Sequence, residues 1–166
     1  MVSPASGFSW VMKSKTSKAV DLGDLPGHHI RRLQQIAVAI FLQEAEATGI
    51  TPVQYAALQT VANLPGIAQR CLAGAVGLDT STIASVIDRL EARGLLARSL
   101  SPDDRRVRLL ALTAEGEAVL AQVLPAMRRA QDRILAPLNK ADRATFMRLL
   151  RTLVSENNEH SRAPRE

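Results

Sequence analysis

Two clusters of side chains carry hydrogen-bonding chemistry that a packed core does not need. Thr80, Ser81, Thr82, Ser85 and Arg89 fall in one short segment, and Asp104, Arg105, Arg106 and Arg108 fall in another. Hydroxyls and exposed backbone N–H groups at the positive end of a helix can bond phosphates or base edges. A guanidinium can reach a phosphate or the paired acceptors of guanine. Arginines on a projecting loop suit a narrow minor groove, where negative potential is concentrated. An aspartate among them makes sense if it holds one arginine in place through a charge-assisted pair.

The elements that must position these groups can be read from patterning. Ile83, Val86, Ile87 and Leu90 form one apolar stripe, so Thr80 to Arg93 is expected as a helix. Its other side shows Ser81, Thr82, Ser85, Asp88 and Arg89. Asp79 or Thr80 caps it, and Gly94 ends it with the left-handed residue that a helix stop favours. Ile67 to Val76 reads as a short preceding helix, stopped by Gly77, with Gly77-Leu78-Asp79 as the turn. Leu95 to Leu100 and Arg106 to Leu112 read as strands around the turn residues Ser101-Pro102-Asp103-Asp104. Helix, turn, helix, then a basic hairpin describes a winged helix-turn-helix: mainly α, with a small β-hairpin wing.

The flanking segments are helical in pattern. Ile30, Leu33, Ala37, Ile40 and Phe41 recur at helical spacing from Pro26 to Thr48. The run Ile36 to Leu42 is apolar around most of the circumference, which implies neighbours on two sides and burial against a second subunit. Thr51, Pro52 and Gln54 form a capping-box start for a helix carrying Tyr55, Leu58, Val61 and Ala62 inward and ending at Leu64-Pro65-Gly66. Thr113 caps a long helix with an expected kink at Pro125, closed by Pro137. Asn139 caps the last helix, with Phe146, Leu149, Leu150, Leu153 and Val154 on one side. The organisation expected is a flexible or loosely docked arm over 1–24, with Phe8 and Trp10 packing on the body or a partner subunit. A dimerisation helix follows over 25–50, a winged DNA-binding domain over 51–113, dimerisation helices over 114–157, and a polar, frayed tail over 158–166.

The residues Leu90, Glu91, Gly94, Leu95 and Arg98, then Asp104 and Arg106, then Leu112, Thr113 and Gly116 resemble the pattern of MarR-type bacterial transcriptional regulators. The resemblance spans about Leu25 to Asn157 and is most specific in the wing; Gly74, inside the first helix of the motif, is unusual. The resemblance implies that Arg106 enters the minor groove of double-stranded DNA and that Asp104 orients it. It also implies a homodimer built from both termini, binding a pseudo-palindromic operator as a repressor. Members often sense small aromatic acids between the dimer helices and the winged domain. His28, His29, Arg31, Arg32 and Tyr55 are the candidates here, since arginine with histidine can receive a carboxylate while tyrosine covers a ring. Surface pairing of Arg31 and Arg32, with His28 capping or packing, is the alternative.

Composition sets the remaining bounds. The 166 residues suffice for one domain, and 21 Lys+Arg against 16 Asp+Glu leave a net charge of +5, which fits a polyanionic partner. No apolar run approaches the roughly 20 residues that span a bilayer, and no signal-peptide pattern opens the chain. A cytoplasmic location is therefore expected. The single cysteine, Cys71, excludes an internal disulfide, and the absence of Cys/His clusters argues against structural zinc. Cys71 is expected to be a buried structural thiol rather than a redox sensor. With no metal spacing, no nucleophile elbow and no phosphate loop, an enzyme is disfavoured and no cofactor is expected. A winged helix used only as a protein-interaction module is the competing reading, and the wing arginines count against it.

Overall fold

The computed structural model describes residues 20–164. The expectations for Phe8, Trp10 and most of the N-terminal arm lie outside them. In the described part of the arm, Asp21 accepts the Gly23 N–H and caps an exposed 3₁₀ turn over Leu22–Asp24.

Six α-helices and three short strands follow within the described residues. Helix α1 (Pro26–Glu44) ends earlier than its periodicity indicates, giving way to a 3₁₀ turn at Glu46–Thr48 and left-handed Gly49. Helix α2 (Pro52–Asn63) starts on the expected capping box: Thr51 accepts from the Gln54 N–H while Gln54 accepts from the Thr51 N–H. Strand β1 (Ile67–Ala68) then precedes helix α3 (Gln69–Val76), helix α4 (Thr80–Ala92), and strands β2 (Leu96–Leu100) and β3 (Arg108–Leu112). Helix α5 (Ala114–Leu135) is capped by Thr113, and α6 (Lys140–Glu156) by Asn139. Helix α5 continues through Pro125 as one element, with Val123 and Ala126 buried on either side; packing holds the helix where proline deletes one ladder bond.

The first residues of the expected helix Ile67 to Val76 are instead a strand. Ile67 lies opposite Leu110 and Ala68 opposite Leu109, so the wing is a three-stranded antiparallel sheet in the order β1-β3-β2. Leu96 faces Leu112 and Leu100 faces Arg108 across the hairpin, and the second strand starts at Arg108 rather than Arg106. The core joins α2 to α5 and the sheet through Leu58, Val61, Leu72, Ile83, Ile87, Leu90, Leu96, Leu110 and Val123, all fully buried. Close approach of aliphatic side chains from six elements fixes α4 against the wing.

Leu72 and Ala73 are the inward residues of α3, and Cys71 lies on its outer face, exposed, contrary to the burial expected from sequence. Residues 158–160 form a 3₁₀ turn, and Ala163 and Pro164 are part-buried. A Cβ on Gly74 would come within 2.9 Å of the Pro164 carbonyl oxygen, which gives that mid-helix glycine a packing role.

No single helix among the described residues is long and apolar enough to cross a membrane. Apolar side chains do remain uncovered. Ile30, Leu33 and Ile36 on α1 and Leu149, Leu150, Leu153 and Val154 on α6 are exposed, and α6 has no buried residue.

Candidate nucleic-acid interface

Helices α3 and α4 meet at 108° across the turn at Gly77, within the range of helix-turn-helix pairs. Gly77 adopts φ 75° and Gly94 φ 71°, so both ends of the unit use the left-handed conformation that glycine takes without strain. The cap of α4 is Asp79, not Thr80. Its Oδ1 accepts the Ser81 N–H at 3.1 Å and the Thr82 N–H at 2.8 Å. Both hydroxyls also donate to it, Ser81 Oγ to Oδ1 and Thr82 Oγ1 to Oδ2, each at 2.6 Å. The Ser81 bond first and the Thr82 bond second hold the Asp79 carboxyl far below the usual carboxylate range.

With Ile83, Val86, Ile87 and Leu90 turned into the core, Thr80, Ser81, Thr82, Ser85 and Arg89 are all exposed. Ser85 Oγ donates to the Ser81 carbonyl at 3.2 Å. Asp88, read from sequence as part of the same polar face, is taken by an ion pair with Arg98 of β2. Arg98 also reaches Glu91 at 3.4 Å, so this arginine pins the back of the recognition helix to the wing.

At the hairpin tip Asp104 and Arg106 form a bidentate pair. Arg106 Nε donates to Oδ1 and Nη2 to Oδ2, each at 3.1 Å, while the Arg106 backbone N–H donates to Oδ1 at 2.9 Å. These bonds, the side-chain one largest, lower the Asp104 pKa. The Arg106 side chain stays 91% exposed while these bonds set the orientation of its guanidinium. Arg105 is exposed beside it at the turn, and Arg108 is exposed at the start of β3.

A cleft of about 440 Å³ separates α4 from the wing, lined among others by Arg70, Cys71, Thr80, Arg106 and Arg108. The fold thus brings Thr80 from the helix cluster together with two wing arginines. Sequence reading missed Arg70, whose signal was a lone arginine in the first turn of a short helix. It also missed the second role of Asp79, which the spacing Asp-x-Ser-Thr could have revealed.

The five residues expected around a ligand divide. His29 and Arg32 line a groove of about 560 Å³ between α1 and α6, walled by Ile30, Leu33, Ile36, Phe146, Leu149, Leu150 and Leu153. His29 Nε2 lies 2.6 Å from the Gly23 carbonyl, and the His28 ring packs edge-on against His29. Arg31 bonds Gln35 on its own helix. Tyr55 stands apart from that groove: it packs against Phe41, donates to Gln59 at 3.2 Å, and burial raises its pKa against an opposing influence from Arg128. Within one protomer the structure therefore does not gather His28, His29, Arg32 and Tyr55 into a single pocket.

This architecture has close counterparts among known proteins. Residues 50–107 match the model of the MarR family. A Thauera aromatica protein named for transcriptional regulation of the hcr operon is 39% identical over 134 residues, covering 80% of this chain and 81% of that protein. The PcaV transcriptional regulator of Streptomyces coelicolor, solved with its natural ligand, superposes with a TM-score of 0.74 at 39% identity, covering 82% of this chain and 96% of that one. BpsR of Bordetella bronchiseptica, described for the regulation of its DNA binding by 6-hydroxynicotinic acid, superposes with a TM-score of 0.77 at 32% identity over 81% of this chain and 96% of that one. The helix-turn-helix, the aspartate-anchored wing arginine and these likenesses agree: the chain belongs to the MarR family of transcriptional regulators and is not an enzyme.

Proposed function

We propose that this chain is a homodimeric repressor that binds a pseudo-palindromic operator in double-stranded DNA and leaves it when a small aromatic acid binds. The carrying observation is the Asp104–Arg106 pair. It fixes the guanidinium of a 91% exposed arginine side chain at the end of a wing beside an exposed, hydroxyl-lined helix. In this reading α4 enters the major groove with Thr80, Ser81, Thr82, Ser85 and Arg89. Arg106 enters the adjacent minor groove, and Arg105, Arg108 and Arg70 neutralise phosphates.

The dimer is supported by the uncovered apolar residues of α1 and α6. Two stripes of exposed aliphatics forming the walls of one groove are a liability in a monomer and an interface in a pair. Two copies related by a dyad read half-sites about 34–36 Å apart. A small aromatic acid as effector is supported by the ligand named for BpsR and by the positions of His29 and Arg32 in the apolar groove, where a carboxylate and a ring would both find partners.

Footprinting on the region upstream of the gene tests the reading, with affinity followed against salt. A protein making six or more phosphate contacts loses about 10³-fold in affinity or more between 50 and 200 mM salt. A protein with no preference for any duplex, or one whose operator occupancy raises transcription, would overturn the assignment as a repressor.

A further inference from the structure

Three of the four hydroxyl protons on the outward face of α4, those of Ser81, Thr82 and Ser85, are already committed inside the chain. An ionised carboxylate has only lone pairs to offer. The 2.6 Å contacts of Asp79 with Ser81 Oγ and Thr82 Oγ1 therefore require both hydroxyls to donate to Asp79. Ser85 spends its proton on the Ser81 carbonyl in the same way. A hydroxyl has one proton and two acceptor lone pairs. With the proton turned inward, what these exposed side chains present to a partner is lone pairs alone.

We propose that Asp79 makes Ser81 and Thr82 obligate acceptors, so that the first turn of α4 selects the exocyclic amines of cytosine and adenine in the major groove. The proposal rests on the DNA-reading role given above and deepens it. In the major groove only cytosine N4 and adenine N6 carry donors, whereas guanine O6 and N7, adenine N7 and thymine O4 are acceptors. Phosphate oxygens are acceptors too, so two lone-pair carriers would face each other there. Ser81 and Thr82 are thus specificity-determining residues rather than backbone clamps, and Asp79 is the positioning residue that sets their polarity. The bonds to Asp79 are charge-assisted, which makes them the ones a neutral competitor does not displace.

Arg89 supplies the opposite polarity. It lies on the same exposed stripe as Ser81 and Ser85, two further turns along, and about 12 Å from Ser81 at 1.5 Å per residue. Its guanidinium makes no hydrogen bond or ion pair among the described residues. One end of the helix therefore accepts and the other donates, which fixes the direction in which α4 can read a half-site.

The test uses the full chain and single-atom changes in DNA. An operator is first selected from a pool of random duplexes. Each adenine is then replaced by purine and each cytosine by pyrimidin-2-one, which deletes the amine; separately, each purine is replaced by its 7-deaza form, which deletes N7. In the bases protected by α4, amine deletion is expected to weaken wild-type binding about three- to tenfold, the value of one hydrogen bond, with no cost from N7 deletion at the Ser81 and Thr82 positions. The double variant Ser81→Ala with Thr82→Val, at exposed positions with the Asp79 cap retained, should lose that sensitivity. Asp79→Asn keeps an acceptor for the helix N–H groups but gives Thr82 a donor in place of an oxygen. The Thr82 hydroxyl proton is then released outward, so at the base facing Thr82 sensitivity should move from amine deletion to N7 deletion, while Ser81, still donating to the remaining oxygen, keeps its amine sensitivity.

Amine deletions without cost, or with equal cost in the double variant, would overturn the acceptor role while leaving DNA binding intact. Sensitivity unchanged by Asp79→Asn would overturn the part assigned to Asp79. A wild-type protein that selects no duplex at all would overturn the DNA-reading function, and this polarity with it.

Discussion

Arg93, at the C-terminal end of the recognition helix, donates to the carbonyl of Gly49 at 3.1 Å and to that of Thr48 at the same distance. Two backbone oxygens in the turn after α1 are thereby tied to α4. Glu44, one turn earlier in the chain, accepts from Arg129 and Arg133 of α5, each at 2.7 Å. The end of α1 is consequently latched both to the long helix and to α4. A shift of α1 at a dimer interface would carry the recognition helix with it.

Arg93→Ala is expected to cost stability modestly, since exposed bonds of this kind contribute about 0.5–1.5 kcal/mol. The more informative readout is coupling. Hydrogen exchange over residues 45–51 should speed up, and an effector acid should displace the variant from DNA less completely than wild type. Unchanged exchange and unchanged displacement would show that the Arg93 latch does not transmit.

The Glu44 latch predicts an acid response. Its bonds to Arg129 and then Arg133 lower its pKa from 4.5, so the folded state holds the proton less tightly than the unfolded one. The stabilisation is complete above the ordinary value and is lost as pH falls through the lowered one. Thermal melts should show stability falling below about pH 4.5, the ordinary glutamate value. In Glu44→Gln that part of the fall should be smaller, with a lower melting temperature at neutral pH. An identical slope in both proteins would exclude Glu44 as a contributor.

At the wing, Arg106→Ala should weaken operator binding about 5- to 150-fold, the range for one specific arginine contact, while the dimer persists in sedimentation. Asp104→Asn should have a smaller effect in the same direction, because the guanidinium remains but its fixed orientation is lost. Operator affinity unchanged in Arg106→Ala would remove the minor-groove assignment.

Gly116 carries a different constraint. A Cβ there would lie 2.0 Å from the Leu95 carbonyl oxygen and 3.0 Å from its carbon, backbone atoms that cannot swing aside. Gly116→Ala should destabilise by about 3 kcal/mol, the upper end for overpacking, and lower the melting temperature by about 6–12 °C. A variant that melts with wild type would mean that the start of α5 can move away from β2.

What the sequence made legible was chiefly local. The capping box at Thr51 and Gln54, the glycine stops at Gly77 and Gly94, and the aspartate two residues before Arg106 each act through bonds within a few positions. The residues that escaped depend on distant partners. Ile67 and Ala68 have no period of their own and are a strand only because Leu109 and Leu110 lie beside them. Asp88 looked free on a helical wheel, yet Arg98 claims it from the next strand. Cys71 faces outward because Leu72 and Ala73 take the inward side of their short helix against α2 and α4, which its own neighbours in sequence do not reveal.

Gly74 offers the last test of such a distant contact. Within a helix, alanine in place of glycine stabilises by about 0.5–1 kcal/mol when nothing opposes it. Here the Pro164 carbonyl would stand 2.9 Å from the new Cβ, a contact tight enough that the tail must shift. Gly74→Ala in the full chain should therefore gain less than it gains in a chain ending at Glu156, and the difference between the two gains measures the coupling of tail to α3. Thermal or urea melts of the four proteins complete the cycle. Equal gains in both backgrounds would mean that the C-terminal segment does not rest on the helix-turn-helix in solution.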